Sequence, residues 1–280
     1  MLPPGSSSAG SASADVAAAD AASLENIAAD PAGGPPAPLQ LSGPVAGYQK
    51  WRQLLFLHWR VPASEVQPLL PAPLEVETHD GSAWLGLVLF TMQGIRPRWF
   101  PAVPLLSNFH ETNVRTYVRH PPSAGGNETG VWFFSLDAAC SPAVRVARWK
   151  WHLPYFRSRM SLEQQDNRVK YTSTRLWPGP AGASTDVTAT LGEPQPEERT
   201  AGSLNHFLVD RYTLFTRGTA GQVYSGQVAH PPYPLQAATV EECEETLVAA
   251  AGLSVSGPPD HAVFSSGVDV RIGALRPAVR

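Results

Sequence analysis

The stretch Phe109-His-Glu-Thr-Asn-Val-Arg-Thr-Tyr-Val118 sets an acid, an amide and a guanidinium at every second residue. At a strand period of two, Phe109, Glu111, Asn113, Arg115 and Tyr117 share one face. His110, Thr112, Val114, Thr116 and Val118 form the other. A face that holds both the aromatics and the charged groups suits the wall of an enclosed polar cavity. The competing reading is a half-exposed strand whose Glu and Arg pair with neighbours. Four residues along a strand separate Glu111 and Arg115 by roughly 13 Å, so they cannot pair with each other. In a cavity, Glu111 is a desolvated acid with a raised pKa, suited to proton transfer. Arg115 is then a bidentate clamp for a carboxylate or carbonyl oxygen. Asn113 stands between them as pocket wall.

Other candidates are single residues with a bland alternative beside each. His58 lies between Leu57 and Trp59 in an apolar run, as a core histidine or as pocket wall. His230 ends a strand before Pro231-Pro232, as a turn cap or at a cavity mouth. Arg145, Arg148, Lys150 and His152 precede Leu153-Pro154-Tyr155. Cations suit a helix C-terminus, and Pro stops the helix. The functional alternative has Tyr155 or Lys150 facing a pocket, where a desolvated lysine is a Schiff-base nucleophile. No GxGxxG, P-loop, GxSxG or HExxH motif occurs, and no two histidines stand at i, i+4. No metal or cofactor is expected.

The composition bounds the partners. The 280 residues are 43% hydrophobic and 16% charged, with 28 prolines, a balance that favours strands and long loops over a helical bundle. With 21 basic against 24 acidic residues there is no electrostatic case for nucleic acid. No apolar run approaches the roughly 20 residues that span a bilayer, so no membrane partner is expected. The N-terminus lacks a secretory or transit pattern, and Cys140 and Cys243 lack CxxC spacing, which points to reduced thiols in the cytoplasm. A small-molecule partner is expected, and a homo-oligomer is left open.

Residues 1–45 are rich in Ala, Ser, Gly and Pro and read as a disordered tail. Residues 46–280 read as one domain, with structure beginning near Tyr48. A buried strand is expected over 51–61 and a short helix over 64–70. A hairpin is expected over 74–89, turning at Asp80-Gly81. Strands follow at 109–119 and 130–137, then a helix over 142–151 with Ser141 as its cap. Further strands are expected at 168–175, 185–191, 210–217, 222–230 and 267–275. A short helix is expected over 203–208, while 239–250 fits helix or strand. These elements describe an α+β, mainly antiparallel β chain, closed or nearly closed into a barrel, with a few short helices.

In order, Trp51-Arg-Gln-Leu-Leu-Phe-Leu-His-Trp59, Pro71-x-Pro-Leu74, Gly81-Ser-Ala-Trp-Leu-Gly86, Phe109-x-Glu-x-Asn-Val-Arg-Thr-Tyr-Val118, Phe134-Ser-Leu-Asp-Ala138, Leu153-Pro-Tyr155 and Ser266-Gly-Val268 resemble the YqjF-like family of uncharacterised proteins. The resemblance spans roughly residues 50 to 275. That family is distantly similar to the acetoacetate decarboxylase superfamily, which implies a β cone or barrel around an apolar pocket with a few charged groups. Phe109-His-Glu111 resembles the aromatic-x-Glu signature of those enzymes. Leu153-Pro154-Tyr155-Phe156 matches their Tyr-Pro-Lys-Lys, with both lysines replaced by aromatics. An iminium mechanism needs that amine, so the resemblance implies the fold without the Schiff base. The expected function is binding, and conversion, of a small carbonyl or carboxylate compound in the barrel cavity. Glu111 and Arg115 are its catalytic pair, and Asn113, Tyr155, His58 and His230 its substrate contacts. The alternative is a non-catalytic ligand-binding or structural protein.

Overall fold

The computed structural model describes Met1 and residues 40–103, 106–195 and 202–278. The expected tail over residues 2–39 lies outside the described residues. Ser42 falls inside that expected tail, yet it donates to the Gln227 side chain and accepts from Arg276. In chain order the elements are β1 (Val45–Val61), α1 (Ala63–Val66), β2 (Glu75–Val76), β3 (Ala83–Pro97), β4 (Phe109–His120), β5 (Glu128–Ala138), α2 (Ser141–Trp151), β6 (Tyr155–Gln165), β7 (Arg168–Trp177) and β8 (Ser184–Pro194). Then come α3 (Leu204–Val209), β9 (Thr213–Arg217), β10 (Val223–Ala229), β11 (Leu235–Glu245), α4 (Leu247–Ala250), β12 (His261–Gly273) and β13 (Arg276–Pro277).

The strands form one sheet that closes on itself. Nine of them pair in a ring, β5-β6-β7-β8-β11-β12-β1-β3-β4 and back to β5. β9 and β10 bridge from β5 to β12, which closes a second circuit through the shared strands β12, β1, β3, β4 and β5. Pairing is antiparallel except where β5 meets β6 and β9. Two interiors result, and the shared strands face both. Leu54, Phe56, Val88 and Phe90 pack in one core with Val144 of α2 and Leu208 of α3. Leu55, Leu57, Leu87, Leu89 and Val114 pack in the other with Val169, Tyr171 and Val187. A strand buried on both faces reads as a continuous apolar run, as Leu54–Leu57 and Leu85–Phe90 do.

Several expectations change at this level. The hairpin over 74–89 does not form, because β2 pairs with β4 at Val118 and Arg119 while β3 pairs with β1 and β4. Burial of Leu74 against Val118 and Phe215, and the Glu75–Arg119 ion pair, hold β2 there. Asp80-Gly81 still turns the chain, closed by a His79–Ser82 bridge. β6 was not expected, since Tyr155–Gln165 is rich in Arg, Ser and Gln. Its pairing with β7 along Arg157–Gln165 defines it. Residues 239–250 divide into strand through Glu245 and the one-turn α4. In α2, Cys140 takes the cap position and Ser141 is the first helical residue.

One ion pair lies deep in the second interior. Arg175 donates from Nε at 2.9 Å and Nη2 at 2.7 Å to the two oxygens of Asp137, and both residues are buried. Ser158 adds a 2.7 Å bond to the same carboxylate, and the guanidinium lies 3.6 Å over the Phe156 ring. Asp137→Ala leaves Arg175 charged and unpaired, and is expected to cost about 3–5 kcal/mol. The double variant Asp137→Leu/Arg175→Met removes both charges and is expected to recover most of that loss. Urea unfolding of the three proteins checks it, and a double variant no more stable than the single overturns it.

Candidate functional site

β4 places its odd-numbered side chains in the first interior because its even-numbered Val114 is committed to the other core. A cavity of about 250 Å³ opens there. Its wall is mostly apolar, including Trp51, Phe56, Phe90, Phe109 and Tyr233, with Ala143, Val146, Ala147 and Trp151 from α2. Glu111, Asn113, Arg115 and Tyr155 also line it. Four of the six expected site residues therefore share one wall.

Tyr155 enters the site as the first residue of β6, where Leu153-Pro154 leads the chain out of α2. Its hydroxyl donates to a Glu111 carboxylate oxygen at 2.8 Å. Phe156 stacks on Arg175. The two aromatics of the Leu-Pro-Tyr-Phe segment thus serve the two different interiors.

Glu111 is buried, and loss of solvent pushes its pKa up to about 8. Hydrogen bonds from Tyr155 and Asn113 oppose the shift, and the nearby Asp137 charge adds to it. Burial wins because, among the described residues, no cation lies within ion-pair distance of the carboxylate. At neutral pH Glu111 is a neutral acid in an apolar wall. Burial and the Glu111 charge hold the Tyr155 hydroxyl well above its ordinary range, so it stays a neutral donor.

Arg115 lies two strand positions further on. Its guanidinium donates to the Leu208 carbonyl at 3.0 Å and lies 5.6 Å from the Phe56 ring. Among the described residues no carboxylate lies within ion-pair distance of it. Arg211 was not expected in the site, yet it lines the cavity too. It pairs with Glu77 at 2.6 Å, which leaves Arg115 as the cation open to a ligand. Nothing in the sequence marks Arg211, because its place depends on the turn from α3 into β9.

His58 and His230 lie behind the wall rather than in it. His58 is fully buried, with Nδ1 3.0 Å from Nδ1 of His261, whose Nε2 meets Asn205 Oδ1 at 2.7 Å. Burial, then His261, then Arg115 hold the His58 pKa well below its ordinary value, so the ring is neutral. It packs against Phe56 and Tyr117 and supports them. His230 packs 4.6 Å from the Tyr233 ring and 5.7 Å from the Trp51 ring, and supports those two lining residues. Lys150 is exposed on α2, and no lysine lines the cavity. No cluster of metal-ligating side chains occurs among the described residues.

Residues 48–269 match the family model DUF2071, described as an uncharacterized conserved protein. The chain belongs to this family. It is 32% identical to the uncharacterized protein YqjF of Bacillus subtilis over 81% of this chain and 90% of that protein. The fold is similar to acetoacetate decarboxylase from Legionella pneumophila, with TM-score 0.57 and 15% identity over 86% of this chain and 92% of that one. An acetoacetate decarboxylase-like enzyme from Sphingomonas wittichii gives TM-score 0.58 and 13% identity, covering 84% of this chain and 94% of its own. The enduracididine biosynthesis enzyme MppR, in complex with pyruvate, gives TM-score 0.56 and 11% identity over 85% and 93%. The DUF2071 chain therefore has an acetoacetate-decarboxylase-like fold.

The raised pKa of Glu111 has a signed effect on stability. The folded chain holds the proton up to about pH 8, whereas the ordinary carboxyl releases it near 4.5. The contribution is complete below the lower value and is lost as pH rises through the upper one. His261, pushed down to about 4 by burial, gives the opposite slope at acid pH, so Glu111 must be isolated by difference. Relative to Glu111→Gln, the parent is expected to lose on the order of a few kcal/mol between about pH 5 and pH 8, at about 1.4 kcal/mol per pKa unit. Denaturant unfolding of both proteins across that range checks it, and parallel curves overturn it.

Proposed function

We propose that this DUF2071 protein binds a small carboxylate-bearing carbonyl compound in the cavity and moves a proton at the carbon beside the carbonyl. One observation carries the reading. A neutral acid and a cation without a carboxylate partner stand on the same wall of a small, apolar cavity. Arg115 holds the carboxylate through charge-assisted hydrogen bonds. Glu111, with a pKa near neutrality, gives a proton to the reacting carbon or, once ionised, removes one. Tyr155 fixes the Glu111 carboxyl and donates where negative charge appears. The apolar wall excludes competing water. Pyruvate in the similarly folded MppR supports a carbonyl acid as ligand. The absence of lysine from the wall argues against an iminium route, so the carbonyl itself serves as electron sink.

Titration calorimetry with short 2-oxo and 3-oxo acids and their methyl esters tests the clamp. Arg115→Gln is expected to weaken the acids by about 1.5–3 kcal/mol and to leave the esters unchanged. Equal losses for both overturn it. Proton exchange beside the carbonyl, followed by NMR in deuterium oxide, tests the acid. Glu111→Gln is expected to slow it by roughly 10²–10⁴ while binding persists. Binding without exchange in the parent makes the cavity a carrier site. Borohydride trapping with a 3-oxo acid is expected to leave the protein mass unchanged, and an adduct on Lys150 overturns the lysine-free route.

A further inference from the structure

The β3–β4 connection, α2 and the end of β7 expose aromatic residues alongside cations that have no carboxylate partner among the described residues. Trp99 is 82% exposed, Trp149 79% and Trp177 52%, with Phe100 and Leu106 also open to solvent. They come from the β3–β4 connection, the outer face of α2 and the end of β7. Two contacts join these pieces. Cys140, at the start of α2, lies 3.7 Å from the Leu106 carbonyl, and the Arg148 guanidinium lies 5.7 Å from the Trp177 ring. Arg98, Arg145, Arg148 and Lys150 are exposed on the same segments, and none has a carboxylate within ion-pair distance among the described residues. Residues 82–110 and 138–162 carry seven Lys or Arg between them at the ends that form this face. Those two ranges contain no Asp or Glu, the buried Glu111 and Asp137 falling just outside them. Elsewhere surface cations meet acids, as in Arg119–Glu75, Arg168–Glu241 and Arg276–Glu128.

We propose that this face docks on a lipid surface bearing anionic headgroups. Tryptophan favours the boundary between headgroup and acyl chain, and cations gather at an anionic leaflet. A second copy of this chain fits less well, because a two-fold contact sets the same patch against itself and opposes like charges. Among the described residues no helix is long and apolar enough to cross a membrane. Docking needs no span. α2 lines the cavity through Ala143, Val146, Ala147 and Trp151, and Val146 is also exposed, so the docked helix would stand at the border between bilayer and cavity. That placement suits a ligand with an apolar body that partitions from the lipid phase.

Cosedimentation of the full chain with phosphatidylcholine vesicles, with and without phosphatidylserine, tests the proposal. Binding to the anionic vesicles is expected to be at least about tenfold stronger and to fall at high salt. Trp99→Ala/Trp149→Ala is expected to weaken it about tenfold, and Arg145→Glu/Lys150→Glu to abolish it. All four positions are exposed, so circular dichroism should match the parent. As a measurement independent of variants, brominated phospholipid should quench tryptophan emission of the parent protein. Equal binding to both vesicles, binding that survives both double variants, or no quenching overturns the proposal. So does patch-dependent dimer formation in sedimentation velocity, or patch-dependent binding of an oligonucleotide that displaces the vesicles.

Discussion

β4 has no free face. It pairs with β3 and β5 along its edges, and its two sides fill two different interiors. A slip of one residue would carry Glu111, Asn113 and Arg115 into the aliphatic second core and bring Thr112 and Val114 to the cavity. Both changes are costly, so core packing fixes the register of the site. The neighbouring strands show the same constraint. A Cβ at Gly86 of β3 would stand 3.2 Å from the Arg115 and His58 side chains. Gly267 of β12 has φ of +127°, and a Cβ there would lie 2.1 Å from the Trp51 carbonyl. The glycines let β1, β3 and β12 approach closely enough to seat large side chains on both sides.

Two buried carboxyl groups show what the two interiors do differently. Asp137 receives a bidentate arginine and a serine hydroxyl, so a cation offsets its charge. Glu111 receives only the neutral donors Tyr155 and Asn113. Neutral hydrogen bonds lower a carboxyl pKa less than burial raises it here. The charge on Asp137 works in the same direction as burial. Different partners on neighbouring strands therefore separate the two acids into a structural ion-pair member and a group able to exchange a proton near neutral pH.

The odd-residue face of β4 was legible because a period of two needs no knowledge of the partners. Glu111, Asn113 and Arg115 reached the cavity for that reason. Tyr155 was legible through its place after Leu153-Pro154. His58 and His230 were not, since a histidine in a buried run looks the same in the wall and behind it. Their placement depends on side chains of Trp51, Phe56 and Tyr233 that stand in front. On the other face of β4, Val114 packs with Val169 and Tyr171 of β7 and Val187 of β8. A second closed interior arises only from long-range pairing of β8 with β11 and of β11 with β12. The missing 74–89 hairpin has a similar cause, because an Asp-Gly turn fixes where the chain bends and not which strand it then pairs with.

The residue at position 155 determines what kind of acid Glu111 is. In the decarboxylase pattern that Leu153-Pro154-Tyr155-Phe156 resembles, lysines stand where Tyr155 and Phe156 stand here. A charged ammonium 2.8 Å from Glu111 would hold the carboxylate ionised, with the two charges offsetting each other. The phenol at that distance supplies a hydrogen bond without a charge, and burial then sets the outcome. With a phenol rather than an amine at this distance, Glu111 is a neutral carboxylic acid on the cavity wall. Of the two arginines that line that space, Arg211 is paired with Glu77, and Arg115 has no carboxylate within ion-pair distance among the described residues. Within one apolar cavity the wall thus holds a neutral acid set apart from a cation, each fixed by the strand register that core packing imposes.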